Sequence, residues 1–158
     1  MIVIENPTGL PVRNDTAGRG RYGAPRGGRR HDGVDFECLP GQVIKAPIAG
    51  DLVRWGPYRN DPAWSGARIA GERMQIKLFY FEPFDDVIGT WVRRGQAIGK
   101  AQNIAEKYPG QGMKPHVHLQ IDSVDPFLIE EMDNTIDALK RTLKTVGVPF
   151  ENFERGFV

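Results

Sequence analysis

The sequence predicts a mainly β fold of short antiparallel strands, with one helix added at the C-terminal end. Three observations carry this. The 19 glycines and 12 prolines, about a fifth of 158 residues, favour turns over long helices. Through the middle of the chain, apolar and polar residues alternate in short runs bounded by glycine or proline. A helical period appears only in the tail. The length fits one domain over residues 1–158, large enough to bury its own core. A hydrophobic share of 40% and a charged share of 26% argue against wholesale disorder. The net charge of +1 gives no global pull toward nucleic acid or membrane surfaces. Cys38 is the single cysteine, which excludes a disulfide within the chain.

Residues 11–30 hold six arginines, one aspartate and five glycines. They read as a flexible, solvated basic entry segment, or else as arginines lining a cleft for an acidic ligand. Val43–Ala46 and Leu52–Trp55 read as strands separated by Pro47 and Gly50. Gly56–Gly66, with two prolines and an Asn-Asp pair, is a long loop. Ala67–Ile69 and Met74–Glu82 form a hairpin around Gly71-Glu72-Arg73. On its second strand Met74, Ile76, Leu78, Tyr80 and Glu82 share one face, and Gln75, Lys77, Phe79 and Phe81 the other. Trp91–Gln96 carries a turn into Ala97-Ile98-Gly99, and residues 102–115 form a loop rich in glycine and proline. Leu128, Met132, Ile136, Leu139, Leu143 and Val146 then recur at helical spacing. Asp125-Pro126 marks the start of that helix and Gly147 with Pro149 its end, giving bounds of about 126–146.

No segment is long and apolar enough to span a bilayer, since the stretch Leu78–Phe84 is short and contains Glu82. The N-terminus lacks the basic start and long apolar run of a signal peptide, so the chain is expected in the cytoplasm as encoded. A lone thiol agrees with a reducing compartment, and Cys38 reads as a small buried hydrophobe.

The chemistry concentrates in two clusters that hold all three histidines. The first is His31-Asp32-Gly33-Val34-Asp35, a turn entering a strand. The second is His116-Val117-His118-Leu119-Gln120-Ile121. Along a strand His116, His118 and Gln120 point one way, and Val117, Leu119 and Ile121 point to the core. Two imidazoles thus enter one space, close enough for a metal ligand and a neighbouring acid/base group. Histidine nitrogen and carboxylate oxygen are ligands that zinc prefers, and a catalytic zinc keeps three protein ligands and one open position.

His-x-x-x-Asp followed by His-x-His resembles the LytM/lysostaphin-type zinc endopeptidases, which cut peptide crosslinks of bacterial cell walls. The resemblance runs from about Tyr22 to Pro126, placing the core of the domain at about 20–126. It includes the Pro-Gly-x-x-Val-x-Ala-Pro-x-x-Gly run of residues 40–50 and Gly95-Gln96-x-Ile98-Gly99. Tyr22-Gly23-Ala24, Phe79-Tyr80, Tyr108-Pro109-Gly110 and His116-Val117-His118 are similar to a non-bacterial, chemotaxin-like branch. The resemblance implies a small antiparallel sheet with a metal-floored groove. It implies Zn2+ held by His31, Asp35 and His118, with His116 beside the metal as a catalytic group.

Family members usually carry a further histidine in a Tyr-x-His-Leu segment. Here Tyr80-Phe81-Glu82-Pro83 matches it, so Glu82 stands in that place. Strand parity puts Tyr80 and Glu82 on one face, where both would border the metal, and Glu82 reads as a catalytic general base, as a residue filling the place of a lost one, or as a solvent-facing glutamate at a strand end. Tyr80, Arg29 and Tyr22 are expected at the substrate, and Trp55, Tyr58 and Trp64 as an aromatic wall of the groove. The function so implied is a zinc-dependent endopeptidase acting on peptidoglycan peptides. The alternative is an inactive zinc-stabilised module binding a peptide, glycan or protein. Release at phage lysis or carriage in a virion would bring a chain without a signal peptide to a cell wall.

Overall fold

The computed structural model describes residues 3–56 and 60–124. The basic entry segment folds back on itself twice. β1 (Asn14–Asp15) pairs with β2 (Gly18–Arg19), and β3 (Pro25–Arg26) pairs with β4 (Arg29–Arg30). Asp15 makes the first turn by accepting the Ala17 N–H at 2.9 Å, an Asx turn. The second is a two-residue Gly27-Gly28 loop. Arg13, expected in a solvated segment, is instead buried, because two carboxylates wait for it.

The elements after it follow in order. They are β5 (Val34–Glu37), β6 (Val43–Lys45), β7 (Gly50–Trp55), β8 (Gly66–Ala70), β9 (Met74–Phe79) and β10 (Phe81–Pro83). Then come β11 (Thr90–Val92), β12 (Ala97–Ala101), a 3-10 turn (Ile104–Lys107) inside the expected loop, and β13 (His116–Val124). Six strands form one antiparallel sheet in the order β11-β7-β8-β9-β13-β5, and three form another, β10-β12-β6. The core lies between the sheets. Leu52, Ile69, Ile76, Leu78 and Val117 from the large sheet meet Ile44, Phe81 and Ile98 from the small one, all fully buried. Those large-sheet positions alternate with outward ones, so the second face of the large sheet is left for other work.

The expected strand Met74–Glu82 is two strands. Tyr80 has φ +72°, a left-handed conformation that few non-glycine residues adopt, and it ends β9. Its N–H donates to the Ser65 carbonyl and its own carbonyl accepts from the Gln102 N–H. Past that kink β10 leaves the large sheet and pairs with β12, Glu82 opposite Lys100. Alternation cannot be carried across the kink. Phe79 and Phe81, expected together on the face of Gln75 and Lys77, are both buried, and Phe81 sits in the core between the sheets. The helix expected at about 126–146 and Tyr58 lie outside the described residues.

Candidate functional site

β13 is paired on both sides, to β5 and β9, and His118 stands opposite both Asp35 and Phe79. As read from the alternation, Val117 and Leu119 enter the core while His116 and His118 project from the outer face. The two loop–strand hairpins of the entry segment cover that face and bury both histidines. His31 is placed by backbone bonds, its N–H donating to the Ala24 carbonyl and its carbonyl accepting from Gly23. Two glycines permit the close packing. A Cβ on Gly33 would lie 2.5 Å from Nε2 of His118. One on Gly20 would lie 2.8 Å from Cβ of Asp35 and 2.9 Å from Cβ of Arg13.

Three acceptor atoms converge. His31 Nε2 and His118 Nδ1 are 3.0 Å apart, and Asp35 Oδ1 is 3.1 Å from the first and 2.9 Å from the second. His31 Nδ1 lies 3.0 Å from the Arg21 carbonyl, which makes Nδ1 the protonated nitrogen and turns the Nε2 lone pair inward. Burial alone would raise the Asp35 carboxyl, but hydrogen bonds from the His118 and His31 rings, in the form whose inward nitrogens carry the protons that a metal would replace, outweigh it and hold the group well below the usual range. Ligands about 2.0–2.2 Å from a tetrahedral zinc stand roughly 3.3–3.6 Å from one another. The observed spacing needs only a few tenths of an ångström of expansion, so the donor set fits zinc. A second carboxylate flanks the pair. Asp32, exposed, reaches 3.7 Å from His118 Nε2 and groups with His31 and His118 within 4.8 Å. Asp35 is the better oxygen donor, because it is buried and touches both inward nitrogens.

Asp35 Oδ2 is held separately. Arg13 donates to it from Nε at 3.3 Å and from NH2 at 3.1 Å, and Arg26 from NH2 at 3.2 Å. Arg13 also donates from NH1 to both oxygens of Asp15, at 2.7 and 2.9 Å. Nothing local in the sequence separates Arg13 from the other arginines. The nearby Asp15 was the one hint.

His116 stands beside this cluster, its Nε2 3.8 Å from Asp35 Oδ2 and its Nδ1 2.8 Å from the Lys114 carbonyl. Burial pushes its pKa below the ordinary imidazole value, partly offset by Asp35. With Nδ1–H donating to Lys114, Nε2 keeps a lone pair. The ring of Tyr80 meets that of His116 edge-on at 5.4 Å, and Trp64 meets Tyr80 at 6.4 Å. His116, Tyr80 and the His31–Asp35–His118 cluster line a cavity of about 220 Å³ with Arg26 and Arg29 on its basic side and Ile104, Tyr108 and Met113 as apolar lining.

Of the residues expected at the site, His31, Asp35, His116, His118, Tyr80 and Arg29 come together here. Tyr22 packs against the core instead. Glu82 is set apart. Its carboxylate accepts from Arg54 and from the Ser65 hydroxyl, and half of it is exposed. Arg54 alternates with Val53 and Trp55, so it leaves β7 on the side opposite His118. The parity argument that aimed Glu82 at the histidines fails at the Tyr80 kink. Arg13, Asp15 and Asp32 are the neighbours that sequence reasoning missed, while Arg26 belongs to the arginine segment read as a possible cleft lining. Cys38 is buried as expected, its thiol pushed up to about 12 by burial.

No family model matches the chain. Among solved structures it is similar to the antimicrobial peptidase lysostaphin of Staphylococcus simulans, with a TM-score of 0.53 and 21% identity, covering 92% of this chain and 56% of that one. The fold is therefore that of the LytM/M23 metallopeptidases, and the chain spans a little over half the length of that enzyme. In sequence it is 37% identical over 115 residues to leukocyte cell-derived chemotaxin-2 of Mus musculus, covering 71% of this chain and 74% of that protein. The Bos taurus counterpart is 34% identical over 115 residues at the same coverage. The chain belongs to the leukocyte cell-derived chemotaxin-2 family, the branch whose motifs it resembles.

Proposed function

We propose that this chain is a zinc-dependent endopeptidase acting on peptide bonds of bacterial cell-wall peptidoglycan, with His31, Asp35 and His118 as the metal ligands. The observation that carries the reading is the convergence of three donor atoms within 2.9–3.1 Å, beside a fourth group able to take a proton. When bound, zinc polarises a carbonyl and makes water acidic enough to attack near neutral pH. The chain supplies the rest. His116 is held neutral by burial, and the Lys114 carbonyl fixes its tautomer, so Nε2 accepts the proton of the attacking water and returns it to the leaving amine. Tyr80 sets the plane of that ring by its edge-on contact. Arg26 and Arg29 present positive charge at the cavity mouth for substrate carboxylates or carbonyls. Release at phage lysis, carriage in a virion or another export route would bring the activity to its substrate.

A second reading has its own support. Glu82 occupies the place of the family's further histidine yet binds Arg54 and Ser65, which leaves His116 without that second partner at the cavity. A zinc-stabilised module that binds a peptide, glycan or protein without cutting it fits that arrangement. Peptide release from purified cell walls, followed by mass spectrometry with and without chelator, separates the two. The endopeptidase reading expects chelator-sensitive products that His116→Ala abolishes while zinc content stays unchanged. Zinc-loaded protein that releases nothing from any wall type would hand the case to the binding module.

A further inference from the structure

The outer face of the large sheet continues beyond the histidines to a second cluster of unusual side chains. Gly66 and His118 both stand opposite Phe79, and Trp55 opposite Gly66, so one row runs His118, Phe79, Gly66, Trp55. In the neighbouring row Gln120 stands opposite Lys77 and Lys77 opposite Arg68. These positions alternate with buried Ala67, Ile69, Ile76 and Leu78, so their side chains share the face of His118. The Phe79 ring lies 5.9 Å from that of His118, and Gly66 places no side chain between Phe79 and Trp55. Phe79 and Gly66 are both buried, so the row is covered between the two clusters and is exposed at its Trp55 end.

At the far end, Lys77 Nζ lies 4.4 Å and the Arg68 guanidinium carbon 5.7 Å from the centre of the Trp55 ring. Lys77 is already neutralised by Asp122 at 2.6 Å. Arg68 is not: among the described residues no carboxylate pairs with it, and its Nε is buried without an acceptor. A buried donor left unpaired is costly, and native proteins rarely tolerate one without a purpose. A guanidinium resting on an indole is also oriented in advance, so it loses little freedom when it binds a planar anion.

We propose that Trp55, Arg68 and Lys77 form a carboxylate-binding subsite, which takes the acidic group of a peptide whose other end reaches the histidine cluster. This rests on the reading of the groove as a peptide site. The charge count chooses the ligand. With Lys77 paired to Asp122, the subsite offers one unmatched positive charge in a planar fork, the complement of a single carboxylate. Two strand spacings and two residues of rise separate Arg68 from His118, about 12 Å in all. That span is roughly three to four residues of extended chain.

The test uses zinc-loaded protein and acetylated hexapeptides of glycine and alanine, each with one Glu at a varied position, against the same set with Gln. Tryptophan fluorescence gives affinities, and the NMR signal of the Arg68 Nε–H reports contact. The Glu peptides should bind about ten-fold tighter or more and shift the Arg68 signal. Arg68→Gln should erase the preference with zinc content unchanged, and Arg68→Lys, which lacks the fork, should keep part of it. Equal affinity for Glu and Gln peptides, absence of binding by any peptide, or a preference that survives Arg68→Gln would overturn the subsite. A Glu preference without cleavage of any wall peptide upholds the subsite and removes the endopeptidase. Cleavage without a Glu preference does the reverse.

Discussion

Two carboxylates in this molecule are each gripped by arginine, and they differ in nearly everything that follows. Asp35 has a side chain 4% exposed, between two arginines on one oxygen and two histidines on the other. Glu82 is 53% exposed and shares Arg54 with the exposed Asp85. The ion pairs are chemically alike. What differs is the solvent around them: out of water each charge needs a fixed partner, whereas in water the partner is optional. Asp35 is therefore a structural and electrostatic fixture of the site, and Glu82 a surface group.

The sharpest way to break the comparison is to remove a donor from the buried side. His31→Ala and His118→Ala should each lower bound zinc from one per chain to a small fraction, by elemental analysis after dialysis. The unmutated protein should also melt higher with zinc than with chelator, a gap that closes in both variants. Unchanged zinc in both would show that other residues hold the metal.

The next effect is on stability. Arg13→Met leaves Asp35 and Asp15 buried with less compensation, and should cost about 3–5 kcal/mol in urea unfolding. Arg54→Met, on the exposed pair, should cost no more than about 1 kcal/mol. Similar losses would refute the contrast drawn from burial.

Asp15 adds a pH dependence. Burial would raise its carboxyl, but hydrogen bonds from the Lys114 N–H and Arg13 outweigh it and hold the pKa below the ordinary 3.8. A depressed carboxyl stabilises the fold fully above its unfolded pKa, and that contribution disappears as pH falls through the lower folded value. Stability should therefore drop below about pH 4, and Asp15→Asn should flatten part of that acid limb in a pH series of unfolding curves.

Glu82→Gln should change least. Zinc content and wall-peptide release should match the unmutated protein, with stability altered by under about 1 kcal/mol. A strong loss of cleavage would show that Glu82 reaches the reacting groups after a movement absent from this structure. Cys38 offers a control. With its thiol pushed up to about 12, alkylation at pH 8 should be slow in the folded protein and rapid in urea.

The sequence by itself determined the metal-ligand candidates and much of the sheet. His-x-x-x-Asp and His-x-His could be read because each motif is local and because strand alternation holds over the first part of β13, ahead of its irregularity between Ile121 and Ser123, with Val117 and Leu119 marking the core side. The β8–β9 hairpin was legible for the same reason, its turn signals flanking two runs of clean alternation. Only the tertiary structure decided where Glu82, Arg13 and Tyr22 belong. A single residue, Tyr80 at φ +72°, transfers the chain from one sheet to the other and cancels the parity that aimed Glu82 at the histidines. Arg13 became a buried clamp because Asp35, 22 residues away, came to face it. Period-two patterns record which face a residue takes within one strand. They carry no record of where a kink redirects the chain, nor of which distant charge will arrive to make a buried arginine affordable, because both depend on contacts made only when the sheets pack.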